Sequence, residues 1–318
     1  MLKMIIKRLM LPLWNEMRYS AAMENPLLLG GAIAAFNVRQ FERLGCLADA
    51  EFKVFSQWGE DGIIEWLVSR LPEIPQSFIE FGVEDYMEAN TRFLLRNRNW
   101  RGLILDGSDK NMKRVRNSNI YWMHALTARS EFITCKNINH IISESGFSGD
   151  LGILSIDIDG NDYWVWKEIN SVNPWIVIVE YNAVFGNERP LTIPYDELFQ
   201  RTKAHASNLY FGASITAFDH LAKARGYTLL GSNRAGCNAF FLRNDLLARV
   251  DGAIIDRTPH PSLFRDSHTA DGVRNYIGGV ARREVISRMP VIDVATSQEL
   301  SLGDASELYS DRWKSLMG

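Results

Sequence analysis

Asp157-Ile158-Asp159, read together with Glu180 and Asn182, is the part of this sequence best equipped for chemistry. On a strand, side chains two positions apart share a face, so Asp157 and Asp159 converge, and Glu180 and Asn182 repeat that spacing. A carboxylate such as Asp157 or Asp159 suits a general base that takes a proton from a hydroxyl. The four side chains together suit a hard divalent cation such as magnesium, which binds through oxygen and lowers the pKa of a bound hydroxyl. The plain alternative is a polar, solvent-filled cleft, and the residues alone leave all three open.

A second pair of acids closes two short apolar runs. Glu80 ends Ser77-Phe78-Ile79 and Asp106 ends Leu103-Ile104-Leu105, 26 positions further on. A segment with helical periodicity, 87–99, lies between them. Strand, turn, helix and a second strand ending in an acid make a βαβ nucleotide-binding unit, with the second acid placed for a ribose. Gly82 permits close backbone approach to a ligand, and Gly107 and Ser108 follow Asp106 at the second strand end. The loop Gly82-Val83-Glu84-Asp85 is poor in glycine and puts acids where a pyrophosphate would need amides. Acids there suit a cofactor with a positive centre and an amino-acid tail, such as S-adenosylmethionine. Asp106 would then accept from the ribose hydroxyls.

These residues need strands to carry them. Candidate strands are 78–83, 103–106, 120–125, 153–157, 176–180, 228–231 and 239–242. Candidate helices are 87–98, 109–116, 133–145, 162–169 and 214–225. Runs such as Ile176-Val177-Ile178-Val179 suit strands buried on both faces. The last two strands are separated by a turn-like Asn233-Arg234-Ala235-Gly236, a hairpin signal. The order predicts an α/β, Rossmann-like fold: a seven-stranded, mostly parallel sheet with a terminal antiparallel hairpin and helices on both faces. Ligands of such sheets lie beyond the carboxyl ends of the strands, where strand order reverses. Ser56-Gln57-Trp58-Gly59-Glu60-Asp61-Gly62 reads as the start of a helix reaching Arg70, with Ser56 as its cap.

The 318 residues carry a net charge of −3, which gives no reason to expect nucleic acid as a partner. Three cysteines without CxxC spacing argue against a disulfide framework and a structural zinc site, and suit a reducing cytoplasm. Residues 1–20 mix Lys3, Lys7 and Arg8 with Ile5, Ile6, Leu9 and Trp14. They suit an amphipathic helix on a membrane surface or one packed on the protein or a partner subunit. The organisation expected is an N-terminal extension over 1–52, a catalytic domain over 53–244 and a C-terminal extension over 245–318. That last part, with His260, Arg265, His268, Arg282 and Arg283, is expected to help form an acceptor pocket or a homo-oligomer contact.

Phe55-Ser56-Gln57-Trp58-Gly59-Glu60-Asp61-Gly62, Phe78-Ile79-Glu80-Phe81-Gly82-Val83, Asn90-Thr91, Trp100-Arg101-Gly102-Leu103 and Ser155-Ile156-Asp157-Ile158-Asp159-Gly160-Asn161-Asp162-Tyr163 together resemble bacterial methyltransferases of the FkbM type. The resemblance runs from about residue 53 to 243. It implies a class I S-adenosylmethionine-dependent methyltransferase in which Glu80, Gly82 and Asn90 lie by the cofactor and Asp106 binds its ribose. It also implies O-methylation of a sugar, glycan or small metabolite. Two other classes remain: a glycosyltransferase gripping a nucleotide sugar through the DxD of Asp157-Ile158-Asp159, and a non-catalytic or membrane-docked assembly factor.

Overall fold

The computed structural model describes residues 21–263, 265 and 267–317. The segment read as an amphipathic helix, 1–20, lies outside the described residues.

Seven strands form the principal sheet: β1 (Ser77–Phe81), β2 (Arg101–Asp106), β3 (Leu126–Ser130), β4 (Gly149–Ile156), β5 (Val172–Glu180), β6 (Tyr227–Ser232) and β7 (Asn238–Arg243). Their order is β3-β2-β1-β4-β5-β7-β6. The first five run parallel, and β7 lies antiparallel between β5 and β6. From β1 the chain steps outward through β2 and β3, then returns to place β4 on the other side of β1. The reversal therefore falls between β1 and β4. This is the Rossmann-like class I methyltransferase arrangement, with its hairpin at one edge.

The strands bury both faces. Neighbouring residues Phe78 and Ile79, Ile104 and Leu103, Ile153 and Leu154, Ile176 and Val177, and Phe240 and Phe241 fall in opposite cores, as a two-residue side-chain repeat demands. On one face pack α2 (Glu60–Arg70), α3 (Arg92–Arg98) and α4 (Asp109–Arg116), through Trp66, Leu94 and Met112. On the other pack α5 (Ile138–Glu144), α6 (Asp162–Glu168) and α7 (Ile215–Ala224), through Ile142, Trp166 and Phe218. A preceding helix, α1 (Ala21–Arg39), lies against α2 and α3.

The C-terminal residues are built into this body. Ile286, Val291, Leu302, Leu308 and Trp313 join the same core as β4 and β5. Trp313 Nε1 donates to Pro259 O at 2.8 Å and the Tyr309 hydroxyl to Val184 O at 2.6 Å. Strands Pro290–Asp293 and Gln298–Ser301 extend a small antiparallel sheet begun by Leu191–Thr192. Arg282 and Arg283 brace backbone carbonyls of the tail: Ser262 O for the first, Gly303 O and Ala305 O for the second.

One expected element is corrected. Residues 120–125 are not a strand. Asn119–Met123 is a short helix, and β3 begins at Leu126. Ile-Tyr-Trp-Met favours strands by type, but a short apolar run does not distinguish helix from strand. Trp122 and Met123 face solvent, 74% and 51% exposed, while Leu126 and Ala128 are the buried residues that fit the sheet. Likewise the helix expected from residue 87 starts only at Arg92. Glu84 and Tyr86 take positive φ, 48° and 60°, which keeps 82–91 an irregular loop. Ser56 is not the N-cap residue of α2, which follows Gly59 at φ 115°, but its hydroxyl accepts from Asp61 N in the first turn at 3.1 Å.

Candidate active site

A cavity of about 650 Å³ opens at the carboxyl ends of β1, β2, β4 and β5. Glu80, Gly82, Asn90, Asp106 and Gly107 line one part of it, and Asp157, Asp159 and Glu180 another. Both acid groups picked out in the sequence thus face one crevice, at the reversal of strand order.

The register brings the second group together. Ile156 pairs with Val179, so Asp157 leaves β4 level with Glu180 at the end of β5. Oxygens of Asp157, Asp159 and Glu180 lie within 4.8 Å of one another. Glu180 Oε2 is buried and has no hydrogen-bond donor. Burial, then the neighbouring charges of Asp159 and Asp162, push the Asp157 carboxyl well above the usual range. Burial and then Asp157 do the same to Glu180. Two carboxyls this close raise each other's affinity for a proton.

The turn that carries Asp157 and Asp159 is held from below. Buried Asp162 accepts from Ile158 N at 2.8 Å and Gly160 N at 2.9 Å, which fixes Asp159 at φ 56°. Asp159 in turn pairs with Arg201 at 2.5 Å. The Arg201 guanidinium stacks 3.7 Å from the Phe211 ring centroid and donates to Asn208 O. Its position is therefore set by three contacts before any ligand enters.

Asn182 does not belong to this group. Its Nδ2 donates to Leu209 O and Phe211 O, both at 2.9 Å, and its Oδ1 accepts from Val184 N at 3.0 Å. It is 2% exposed and organises the loop beyond β5. Its side chain has turned to the loop backbone, so the divalent-cation set expected from the sequence reduces to three carboxylates.

Glu80 lines the cavity but its carboxylate is occupied. It accepts from Asn90 N at 2.7 Å, Thr91 N at 3.0 Å and the Thr91 hydroxyl. Burial raises it to about 7. Its part is to tie the start of α3 beneath the cavity. Asn90 does similar work, donating through Nδ2 to Ser155 Oγ at 3.1 Å. Gly82 answers to the protein rather than to a ligand. At φ 71°, a Cβ there would stand 1.6 Å from Asp157 O, so β1 and β4 can separate into their loops only past a glycine.

Asp106 is different. It is half-buried and accepts from Glu84 N at 2.9 Å and Ser108 N at 2.7 Å, which orient it and leave acceptor capacity. Gly107 is exposed at the cavity rim. Ser108 is corrected: its hydroxyl caps α4 by accepting from Asn111 N at 3.3 Å, and it does not line the cavity.

Some functional residues escaped the sequence reading. Glu131 and Phe132 line the cavity just past β3, the strand that was misplaced. Phe132 is 46% exposed there. Arg201 and Asn238 also line it. Asn238 leads back to Glu60, which accepts from Asn233 Nδ2 at 2.6 Å, Asn238 Nδ2 at 2.8 Å and Trp58 N at 2.9 Å. Adjacent Asp61 gathers Val54 N, Phe55 N, Ser56 N and the Ser56 hydroxyl at 2.7–2.9 Å. The acidic pair at the head of α2 was the available signal. It is a staple between α2, the preceding turn and the β6–β7 hairpin.

No protein-family model matches the chain, and no curated protein does. Among solved structures, similar ones include the N-terminal domain of EvdMO1 with SAH bound, at 11% identity over 57% of this chain and 78% of that one, TM-score 0.39. Another is an O-methyltransferase from Bacillus cereus in complex with SAH, at 15% identity over 70% of this chain and 90% of that one, TM-score 0.38. Likenesses so remote add nothing to the strand order, on which the assignment of the fold stands.

Proposed function

We propose that this protein transfers a methyl group from S-adenosylmethionine to a hydroxyl oxygen of a small or glycan acceptor. One observation carries the reading: the cavity at the strand reversal is lined by eight carboxylic side chains and, among the described residues, by one basic side chain, Arg201. Such a wall favours a donor carrying a sulfonium and an ammonium. It disfavours a nucleotide diphosphate, whose charge adds to the repulsion even when one divalent cation is present. This argues against the glycosyltransferase reading of Asp157-Ile158-Asp159. The motif resemblance to the FkbM type supports oxygen, on a sugar or secondary metabolite, as the acceptor atom.

When bound, S-adenosylmethionine supplies an electrophilic methyl group. Asp106 would take the ribose hydroxyls, and Phe132 would cover the base. Asp157, with Glu180 beside it, receives the proton of the acceptor hydroxyl. Its raised basicity suits that task near neutral pH. Arg201 steadies Asp159 at the rim. The rest is positioning of two reactants in a cavity of fixed shape.

The same three carboxylates fit a hard divalent cation, since their oxygens lie within 4.8 Å and Glu180 Oε2 lacks a donor. That cation would supply charge that lowers the pKa of the acceptor hydroxyl. Activity that survives exhaustive chelation leaves direct proton transfer to Asp157. Activity lost on chelation and restored by magnesium assigns the cation.

The test of the whole reading is calorimetry of the full chain with S-adenosylhomocysteine and, separately, with uridine diphosphate sugars. Binding of the first and not the second is expected. A folded protein that takes up the diphosphate and ignores millimolar S-adenosylhomocysteine would end the proposal.

A further inference from the structure

The outer side of α1 is unlike any other helical surface among the described residues. Met23, Leu27, Leu29, Ile33 and Phe36 are 54%, 49%, 67%, 56% and 64% exposed. Leu29, Ile33 and Phe36 follow one another at helical spacing, so they form one stripe. The helix has two charged residues, and both are paired with charges on other helices. Glu24 is buried against Arg92 and Arg96, and Arg39 pairs with Glu65 at 2.8 Å. The inner side is tightly fitted: Ala35 and Val38 are buried, and a Cβ at Gly31 would stand 2.6 Å from Val54 Cγ2 and 2.7 Å from Phe93 Cε2. At Gly30, on the outer side, a Cβ would meet nothing within 4 Å. A solvated helix of this length ordinarily carries charge on its outer face, and a contiguous exposed apolar stripe marks an interaction surface.

The sequence that leads into α1 indicates what covers it. Residues 1–20 hold Lys3, Lys7, Arg8 and Arg18 against a single acid, Glu16, among Leu, Ile, Met and Trp, whereas the chain as a whole is net negative. In sequence, a basic stretch thus runs directly into a helix whose outer face is apolar and uncharged. Apolar side chains that enter the headgroup boundary, flanked by lysine and arginine, are what an anionic lipid surface recognises. No helix among the described residues is long and apolar enough to cross a membrane. We propose that the outer face of α1 docks this protein on the surface of an anionic bilayer.

The experiment is co-sedimentation of the full chain with sucrose-loaded vesicles, either of phosphatidylcholine alone or of phosphatidylcholine mixed with phosphatidylglycerol. Wild type is expected to partition onto the anionic vesicles, less onto the neutral ones, and less at high salt. The variant Leu29→Asp/Ile33→Asp/Phe36→Asp keeps residues 1–20 intact and is expected to lose about tenfold or more in partitioning. Its melting temperature and S-adenosylhomocysteine binding serve as controls for folding. If it melts early, the milder Leu29→Ser/Ile33→Ser pair asks the same question, with a loss of about threefold expected. Wild type that stays in the supernatant overturns the proposal, as does a folded triple variant that partitions like wild type. A dimer in sedimentation velocity that the triple variant dissolves, without vesicle binding by wild type, assigns the face to a second copy of the chain and overturns it equally.

Discussion

The molecule contains two kinds of acid, and their surroundings separate them. Glu60, Glu80 and Oδ2 of Asp61 are surrounded by donors that belong to the chain itself, backbone amides, side-chain amides and hydroxyls, while Asp61 Oδ1 has none. Asp157 and Glu180 face each other, and Glu180 Oε2 has no donor. All were equally visible as acids near helix starts and strand ends. A carboxylate saturated by nearby amides builds architecture, because removing it orphans its donors. A carboxylate held against another carboxylate lowers stability and persists for another reason, which is chemistry.

The largest effect that sharpens this contrast is expected at Asp157. Asp157→Asn should lower methyl transfer by about a hundredfold to ten-thousandfold while the melting temperature holds or rises, because one member of a repelling pair has gone. Full activity in this variant would take the base away from Asp157. A large loss of stability would move the residue into the architectural class. Asp61→Ala should do the reverse. Four donors lose their acceptor, at about 1–3 kcal/mol for each one left buried, so denaturant unfolding should show a loss of at least about 3 kcal/mol. Activity per folded molecule should change little. A melting temperature equal to that of wild type would mean that the turn at 54–56 does not depend on its staple.

The pH dependence of stability probes the architectural acids without mutation. Glu80 is raised from 4.5 to about 7, chiefly by burial. Between those values the folded protein holds a proton that the unfolded chain has released. Its contribution therefore favours folding most below pH 4.5 and is lost as pH rises to about 7. At about 1.4 kcal/mol per pH unit this is a few kcal/mol. Asp61 and Asp162, both raised to about 6, act in the same direction over a lower range. Glu80→Gln should flatten the slope between pH 4.5 and 7 in urea titrations. An unchanged slope would show that Glu80 does not titrate there.

Strand type, strand order and the cavity edge were readable because both-face burial leaves apolar runs that end in acids and glycines. Which acids do chemistry was not readable. Asp157 and Glu180 meet through the β4–β5 register, 23 residues apart in sequence, and no local pattern records whether a donor lies nearby. Asn182 shows the same limit: its spacing from Glu180 promised a shared face, but the chain turns after β5 and the side chain follows the loop. The misplaced β3 cost the reading Phe132, because Ile-Tyr-Trp-Met carries a strand's composition without its burial. Gly82 was noticed for a ligand's sake, whereas the backbone of Asp157 is what needs the room.

Asp106 stands between the two kinds of acid and gives the finest test of the distinction. Two amides, Glu84 N and Ser108 N, hold its oxygens at 2.9 and 2.7 Å, as at an architectural acid. A carboxylate has about four acceptor positions, however, so two remain on a half-buried group that faces the cavity. If those two serve ribose hydroxyls, Asp106→Ala should weaken S-adenosylhomocysteine binding by about tenfold to a hundredfold, the worth of hydrogen bonds to a charged group. Asp106→Asn separates the causes. It retains one acceptor oxygen and a comparable shape, so it should recover part of the affinity lost in Asp106→Ala. Equal loss in both variants, together with equal loss of thermal stability, would mean that the side chain serves only to pin the amides of residues 84 and 108, and Asp106 would join Glu80 among the acids that build the site without touching what binds there.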